Sequence, residues 1–176
     1  MRTVKELTDA IASAPFALRD GERRPPVDPV ALADFEFRWG IKLPADVRAF
    51  YLRMDGTDMM DADHGLITLW PLARWSHLDH DEAPQYPVVA PADGIVFADH
   101  SLWCWAYAAQ FESGSERMTV HIVGHGTGVP IAETFTEFLE LIVTDSKRLY
   151  GVSNREHHLQ ASGDIVNTRP SGTKPR

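Results

Sequence analysis

The stretch Trp39-Gly40-Ile41-Lys42-Leu43-Pro44 lies between two amphipathic helical patterns and decides the fold that we predict for this chain. Pro44 has no backbone N–H to lose at the start of a helix, and its fixed φ suits that position. Asp46 then places a carboxylate in the first turn, where the helix dipole favours negative charge. The helix predicted over residues 44–54 has one apolar face, formed by Val47, Phe50, Tyr51 and Met54. Asp55 and Gly56 follow it, and glycine commonly adopts the left-handed conformation that ends a helix.

Helical patterns also precede this stretch. Residues 3–13 carry apolar side chains on one stripe at helical spacing, which predicts a short amphipathic helix. Asp28 followed by Pro29 is typical of a helix start, with aspartate as the N-cap and proline at the first position. Leu32, Phe35 and Trp39 then recur on one face. The chain is therefore predicted to open with helices.

After residue 65 the pattern changes to that of β-strands. Runs of β-branched and aromatic residues predict strands at 66–70, 95–98, 102–109 and 118–123, and a short edge strand at 129–132. Pro71 stops the first run, residues 72–75 predict one helical turn, and residues 99–101 predict a β-turn. Turns this short between strands favour antiparallel pairing.

The last predicted helix begins at a capping box, with Thr134 as the N-cap and Glu137 three residues later. Its apolar stripe consists of Phe135, Phe138, Leu139 and Ile142. We therefore predict an α+β fold with N-terminal helices, a central mostly antiparallel sheet of about five strands and a C-terminal helix packed on the sheet. Residues 1–150 are predicted to form one domain with a core at 28–145, and the polar residues 151–176 a flexible tail.

Composition places the chain among ordinary globular proteins. Its 176 residues, 44% of them apolar, are enough for one domain with a buried core. The single cysteine, Cys104, excludes a framework of disulfides within the chain and suits a reducing compartment. No signal-type apolar run follows Met1, and no run approaches the roughly 18 apolar residues of a membrane helix. These features predict a cytoplasmic protein with no membrane partner.

Charge is unevenly distributed along the chain. Residues 1–146 contain 11 lysines and arginines against 23 aspartates and glutamates, whereas residues 147–176 contain 6 against 2. An acidic body argues against binding nucleic acid, because neutralising phosphates requires a basic face. The acidic excess has two interpretations. It either keeps the protein soluble or steers a basic partner towards it.

Two sets of residues are candidates for contacting a partner. The first comprises the carboxylates of two predicted loops, Asp55, Asp58, Asp61, Asp63, Asp79, Asp81 and Glu82. The second is the aromatic set Trp103, Trp105 and Tyr107, which strict alternation over residues 102–109 assigns to one face of a strand. That face either packs in the core beneath the helices or is exposed to anchor a partner. The alternation alone does not decide between these interpretations.

No catalytic or metal-binding pattern is evident. The pairs His77/His80 and His121/His125 lack a third ligand in the sequence pattern and any recognised zinc motif. Asp99, His100 and Ser101 include the residue types of a catalytic triad, but neighbours in a turn cannot form its chain of hydrogen bonds. Cys104, predicted within an apolar strand, is a poor nucleophile there. We therefore predict no enzymatic activity, no metal and no cofactor.

Four motifs, taken in order, resemble the SUKH superfamily, which is typified by fungal Smi/Knr cell-wall regulators and by many bacterial immunity proteins. The first is the stretch from Trp39 to Phe50 followed by Asp55-Gly56, the second Leu69-Trp70-Pro71-Leu72, the third Ile95-Val96-Phe97-Ala98-Asp99, and the fourth residues 131–139. The residues that carry the resemblance are Trp39, Gly40, Leu43, Pro44, Phe50, Gly56, Pro71, Phe135, Phe138 and Leu139.

The resemblance implies a function in protein binding. It implies first an immunity protein that binds and neutralises a protein toxin delivered by neighbouring cells. In that case the acidic loops would cover a basic face of the toxin, as suits a nuclease with a phosphate-binding cleft. The fungal branch implies an alternative, an intracellular regulatory or scaffold domain that binds a cellular protein. The oligomeric state is left open by the sequence.

Overall fold

In its described part the chain opens with three helices, continues through five short strands and closes with a fourth helix, as its apolar patterns predict. A computed structural model describes residues 2–13, 24–57, 67–77, 93–101, 103–124 and 128–151. The helices are α1 (Val4–Ser13), α2 (Pro29–Trp39), α3 (Ala45–Tyr51) and α4 (Phe135–Val143), with 3-10 turns at Leu72–Arg74 and Lys147–Tyr150. The strands are β1 (Ile67–Leu69), β2 (Ser76–His77), β3 (Ile95–His100), β4 (Trp105–Phe111) and β5 (Met118–Val123). Of the predicted tail at 151–176, residues 152–176 lie outside the described residues.

The five strands form one antiparallel sheet with β3 near its centre. β1 and β2 lie one after the other along the same edge of β3, with Ile67 opposite His100 and Ser76 opposite Val96. On the other edge β4 pairs with β3, and β5 pairs with β4 from Ala106↔Val123 to Phe111↔Met118. This arrangement confirms the predicted sheet, including its antiparallel pairing.

The helices cover one face of this sheet, and aromatic side chains fill the space between them. Phe97 of β3 packs against Phe138 of α4, with ring centroids 5.3 Å apart, and Phe50 of α3 packs against Phe135 at 5.4 Å. α1 contacts both α3 and α4. All four of these phenylalanines are fully buried. The C-terminal helix therefore packs on the sheet as predicted.

The stretch between α2 and α3 joins three helices through buried or half-buried polar bonds. Gly40 adopts φ 62° and ends α2, and the Glu36 carboxylate accepts the Leu43 N–H at 2.8 Å. Asp46 accepts both the Thr136 N–H at 2.8 Å and its hydroxyl at 2.9 Å, which links the first turn of α3 to that of α4. Asp46, whose carboxylate is predicted to be stabilised by the dipole of α3, therefore also holds the first turn of α4 in place.

Asp55-Gly56-Thr57 connects α3 to the sheet, and its role differs from the predicted one. α3 ends at Tyr51, five residues before Gly56, so this glycine does not terminate the helix. The Thr57 N–H donates to the Leu69 carbonyl at 2.8 Å, and the Thr57 hydroxyl accepts the Leu69 N–H at 2.9 Å. Gly56, with φ 77°, lies against the backbone of Leu69 and Trp70. Gly56 is thus needed for the close approach between its own backbone and that of Leu69 and Trp70.

Three predicted boundaries are wrong in detail. β3 continues through Asp99 and His100, and the turn after it occupies Ser101 and residues 103–104, so β4 begins only at Trp105. Ser101 and Trp103 adopt positive φ values of 50° and 71°, which break the alternation that predicted a longer strand. Cys104 is consequently exposed in this turn rather than placed in an apolar strand. The predicted edge strand at 129–132 reduces to a single bridge between Val120 and Ala132.

Candidate functional site

The aromatic candidates of β4 and its preceding turn occupy three different environments. Tyr107 is fully buried, where its hydroxyl donates to the Leu149 carbonyl and accepts the Trp105 indole N–H, both at 3.0 Å. Its ring also packs against Phe138 at 5.0 Å. Tyr107 is therefore a core residue, and it is no longer a candidate for contacting a partner.

Trp105 and Trp103 differ from Tyr107 in exposure. Trp105 is half-buried and stacks on the His100 ring, with centroids 3.8 Å apart and planes 7° from parallel. Trp103 is 41% exposed and lies 4.9 Å from the ring of Trp70. The Trp70 indole is itself held by the buried Asp99 carboxylate. Trp103 therefore remains a candidate for contacting a partner.

Tyr107 also supplies a test of the core. Burial raises the pKa of the Tyr107 hydroxyl above its ordinary value of about 10. The buried neutral hydroxyl therefore contributes its full stabilisation below about pH 10, and this stabilisation is lost as the pH rises further. We expect Tyr107→Phe to cost about 1–2 kcal/mol at neutral pH, because Trp105 and Leu149 each lose a hydrogen-bond partner. The variant should also lose stability less steeply above about pH 10. Urea unfolding across this pH range checks both effects, and an unchanged alkaline slope would contradict the assignment.

The acidic candidates from the sequence are described only in part. Asp55 is half-buried, and its carboxylate accepts the Leu72 N–H at 2.8 Å, so it stabilises the 3-10 turn after β1. The others, namely Asp58, Asp61, Asp63, Asp79, Asp81 and Glu82, lie outside the described residues and remain predictions. Asp55 thus has a structural role in holding this turn.

The residues weighed for metal binding or catalysis have other contacts. The His77 ring packs on Trp39 with centroids 4.5 Å apart, and the His121 ring shares a 2.9 Å hydrogen bond with the Thr119 hydroxyl. Burial lowers the pKa of His121, which favours its neutral form. His80 and His125 lie outside the described residues. Within the part of the chain that is described, no three metal-ligating side chains converge.

A large groove, which the sequence did not indicate, lies where α3 and α4 begin beside the β4–β5 hairpin. It has a volume of about 880 Å³. Its described lining comes from three separate segments: Pro44, Ala45 and Asp46; Gln110, Phe111, Glu112, Glu116, Arg117, Met118 and Thr119; and Glu133 and Thr134. We call this surface the acidic groove, because four carboxylates and a single guanidinium are among these residues.

The four carboxylates of the acidic groove are not equally available. Asp46 is engaged by Thr136, and Glu116 forms an ion pair with Arg48 at 2.9 Å. Glu112 is exposed and accepts the Ser115 hydroxyl at 3.0 Å. Glu133 is exposed as well, and only its backbone N–H takes part in a described hydrogen bond, to Glu137. Glu112 and Glu133 are therefore the carboxylates that can most readily meet an incoming cation.

A second, smaller cavity adjoins the acidic groove across the tip of the β4–β5 hairpin. It has a volume of about 320 Å³ and shares Phe111 and Glu112 with the groove. Its other wall carries Trp39 and Gly40. The Arg48–Glu116 ion pair, 2.9 Å long, connects the hairpin turn to α3. Phe111 and Glu112 of the hairpin thus border both cavities.

Helices on one face of an antiparallel sheet, with a groove where two of the helices begin, define the class of the fold, an α+β domain. The sequence model of the SMI1 / KNR4 family (SUKH-1) matches residues 26–141, and the chain belongs to this family. No curated protein matches the sequence. None of the described helices is both long and apolar enough to span a membrane.

Proposed function

We propose that this protein is an immunity protein, which binds a basic toxin domain through the acidic groove and thereby neutralises it. The acidic groove is the observation that carries the proposal, because it presents carboxylates beside apolar surface in a concave site. The net charge of −8 supports the same partner chemistry. Membership of the SMI1 / KNR4 family supports a function in protein binding.

Charge in the acidic groove would act mainly on the rate of association. Exposed carboxylates at a rim gain modest energy per contact in water, but together they orient a basic partner during encounter. The half-buried Phe111 at the groove would then supply apolar contact that slows dissociation. A basic active-site face covered in this way would be closed to its own anionic substrate.

The test begins with capture of the partner from the source cells, using the tagged full-length chain at low and moderate salt. Mass spectrometry of the captured material is expected to identify one basic domain in near-equal amount. Expression of that domain alone should then arrest growth, and co-expression with this chain should restore it. A captured partner that is harmless when expressed would overturn the immunity function and favour the alternative, a regulatory or scaffold domain.

Charge reversal at Glu133 tests the acidic groove itself. Glu133→Lys is expected to weaken binding of the captured partner about 10-fold and to reduce its salt dependence, chiefly through slower association. Asp34→Lys is the matched control, because Asp34 is an exposed aspartate on the outer face of α2, away from the groove. Binding rates are measured by surface plasmon resonance at two salt concentrations. Equal weakening by both variants would show that general charge, and not the groove, attracts the partner.

The predicted loop carboxylates require a separate variant. Reversal of Asp58, Asp61 and Asp63 together tests the hypothesis, drawn from the sequence, that this loop covers the basic face of the toxin. If the association rate and its salt dependence remain unchanged, the loop is not part of the interface. The two variants together locate the partner on the groove, on the loop or on both.

A further inference from the structure

The smaller cavity beside the acidic groove has an aromatic wall. We call it the Trp39 cavity, because Trp39, the last residue of α2, forms part of that wall. The Trp39 ring stacks on the buried Phe35 ring with centroids 5.2 Å apart, and the His77 ring of β2 packs on Trp39 at 4.5 Å. Phe111, at the end of β4, is a further aromatic residue of the lining. Contacts within the protein therefore already hold this wall in place.

Two carboxylates border the Trp39 cavity. Asp93 precedes β3, and its carboxylate accepts a Gln110 amide N–H at 3.3 Å, which places it beside the end of β4. Glu112 directly follows that end. Both acidic residues are exposed, whereas Lys42 is the single lysine or arginine in the described lining. The cavity therefore combines an excess of negative charge with aromatic rings.

The lining of the Trp39 cavity is accessible to a partner. Among its described residues only Ile95 is buried, and the others are exposed or half-buried. The volume of about 320 Å³ is near the lower end of the roughly 300–1,000 Å³ that is typical of small-ligand sites. A space of this size suits one long side chain rather than a folded segment. A partner can therefore enter the cavity with a single residue.

Arginine is the side chain that best matches this lining. Its guanidinium is planar and always charged, donates N–H groups to carboxylates and stacks on aromatic rings, because it is weakly hydrated. The protein already contains one such contact, since the Arg74 guanidinium lies 4.2 Å from the centroid of the Trp70 ring. Lysine has the same charge, but its compact and strongly hydrated ammonium has no flat surface to stack.

We infer that the Trp39 cavity binds one arginine side chain of the partner and thereby anchors it. This inference rests on the proposed function and names the residue type that enters the surface next to the acidic groove. The aromatic wall borders the guanidinium, and the carboxylates of Asp93 and Glu112 accept its N–H groups. Glu112 lines both cavities, so this arginine and the basic residues in the acidic groove belong to one continuous surface of the partner.

Nα-acetyl-arginine amide is the probe for this site, and Nα-acetyl-citrulline amide, which has the same shape but no charge, is the control. The arginine compound is expected to shift the NMR signals of the Trp39 indole N–H and the Glu112 amide of the full-length protein, with a dissociation constant of about 10 mM or below. The citrulline compound should bind about 10-fold more weakly, because it cannot form charge-assisted hydrogen bonds. No shift at Trp39, or equal binding of the two compounds, would overturn the inference.

Nα-acetyl-lysine amide separates arginine recognition from plain charge attraction. It is expected to bind about 5-fold more weakly than the arginine compound, because its ammonium has the charge but not the planar surface. Equal binding of the lysine and arginine compounds would mean that the cavity attracts any cation, and would overturn the assignment of arginine.

Variants at the cavity give the complementary test from the side of the protein. Asp93→Asn keeps an oxygen that can accept the Gln110 N–H, but it is expected to weaken binding of the arginine compound about 5-fold. Lys42→Ala should strengthen binding about 2-fold, because it removes a like charge. Asp34→Asn is the matched control, since Asp34 is an exposed aspartate outside the described lining of both cavities. Equal affinities of the Asp93 and Asp34 variants, or weaker binding after Lys42→Ala, would contradict the inference.

A double-mutant cycle with the captured partner completes the test. Each arginine of the partner is replaced by glutamine, and binding is measured to the native chain and to Asp93→Asn. One replacement should weaken binding to the native chain about 10-fold but binding to the variant only about 2-fold, because the two residues interact directly. If no arginine is coupled to Asp93, the anchor is wrong, although weaker binding of Glu133→Lys would still support the acidic groove. A captured partner that is harmless when expressed would instead overturn the proposed function and leave a coupled arginine as evidence for the anchor.

Discussion

Replacement of Gly56 by alanine is expected to destabilise the protein by about 3 kcal/mol or more, through strain at positive φ and overlap with neighbouring atoms. A Cβ at this position would lie 2.5 Å from the Leu69 carbonyl oxygen and 2.7 Å from the Trp70 carbonyl carbon. Both neighbours are backbone atoms of the segment that Thr57 fastens to Leu69, so neither can move aside cheaply. Gly56 is therefore required by the contact between the end of α3 and the sheet.

Gly114 provides a matched control for this prediction. It has nearly the same backbone conformation, with φ 73° against 77° for Gly56, but an added Cβ would meet no atom within 4 Å. Gly114→Ala should therefore cost only the conformational strain, about 1 kcal/mol. Urea unfolding of both variants separates steric overlap from backbone strain. Similar losses in the free energy of unfolding for the two variants would show that the backbone of Leu69 and Trp70 does not lie this close to Gly56 in solution.

The helices and the sheet were predictable because their patterns are local. Asp28 and Thr134 act as the N-caps that the sequence predicts, and both accept a backbone N–H of the following helix. The capping box is incomplete in one respect, since the Glu137 carboxylate accepts the Glu133 N–H rather than that of Thr134. Apolar spacing identified α4, because a helix that packs on a sheet must present a continuous stripe.

Strand boundaries near residue 101 were not predictable from alternation. Ser101 and Trp103 adopt left-handed conformations that neither residue type favours. Because neither position is a glycine, the sequence gives no local sign of the turn. The tertiary contacts explain why the turn forms there. Asp99 in β3 accepts the Trp70 indole N–H and lies 3.4 Å from the Trp103 N–H. These contacts, of which the one to Trp70 is buried, outweigh the local preference for a continuous strand.

The acidic groove could not be predicted because its parts are distant in sequence. Residues near positions 45, 115 and 133 meet only after α3, the β4–β5 hairpin and α4 have packed together. The bond from Asp46 to Thr136 spans 90 positions, and the ion pair of Arg48 with Glu116 spans 68. Glu112 and Glu116 carry no signal beyond that of a polar turn. Their importance follows from the fold.

Truncation of Phe138 to alanine is expected to cost about 3–5 kcal/mol, a large share of the roughly 5–15 kcal/mol that stabilises a typical domain. Phe138 is fully buried between α4 and the sheet, where its ring contacts Phe97 at 5.3 Å and Tyr107 at 5.0 Å. Removing it would open a cavity at the centre of this layer. The neighbouring rings belong to different strands, so the layer can close around that cavity only in part.

Phe37→Ala is the matched control for Phe138, since the Phe37 side chain is 89% exposed on α2. The same chemical change there should alter stability by no more than about 0.5 kcal/mol, because little apolar surface is removed from the interior. Urea unfolding of both variants gives the difference in the free energy of unfolding directly. A large loss at Phe37 would mean that α2 is covered in solution, whereas a small loss at Phe138 would contradict the packing of α4 on the sheet. That packing also positions Glu133 and Thr134, so Phe138→Ala should in addition weaken partner binding at the acidic groove while Phe37→Ala should not.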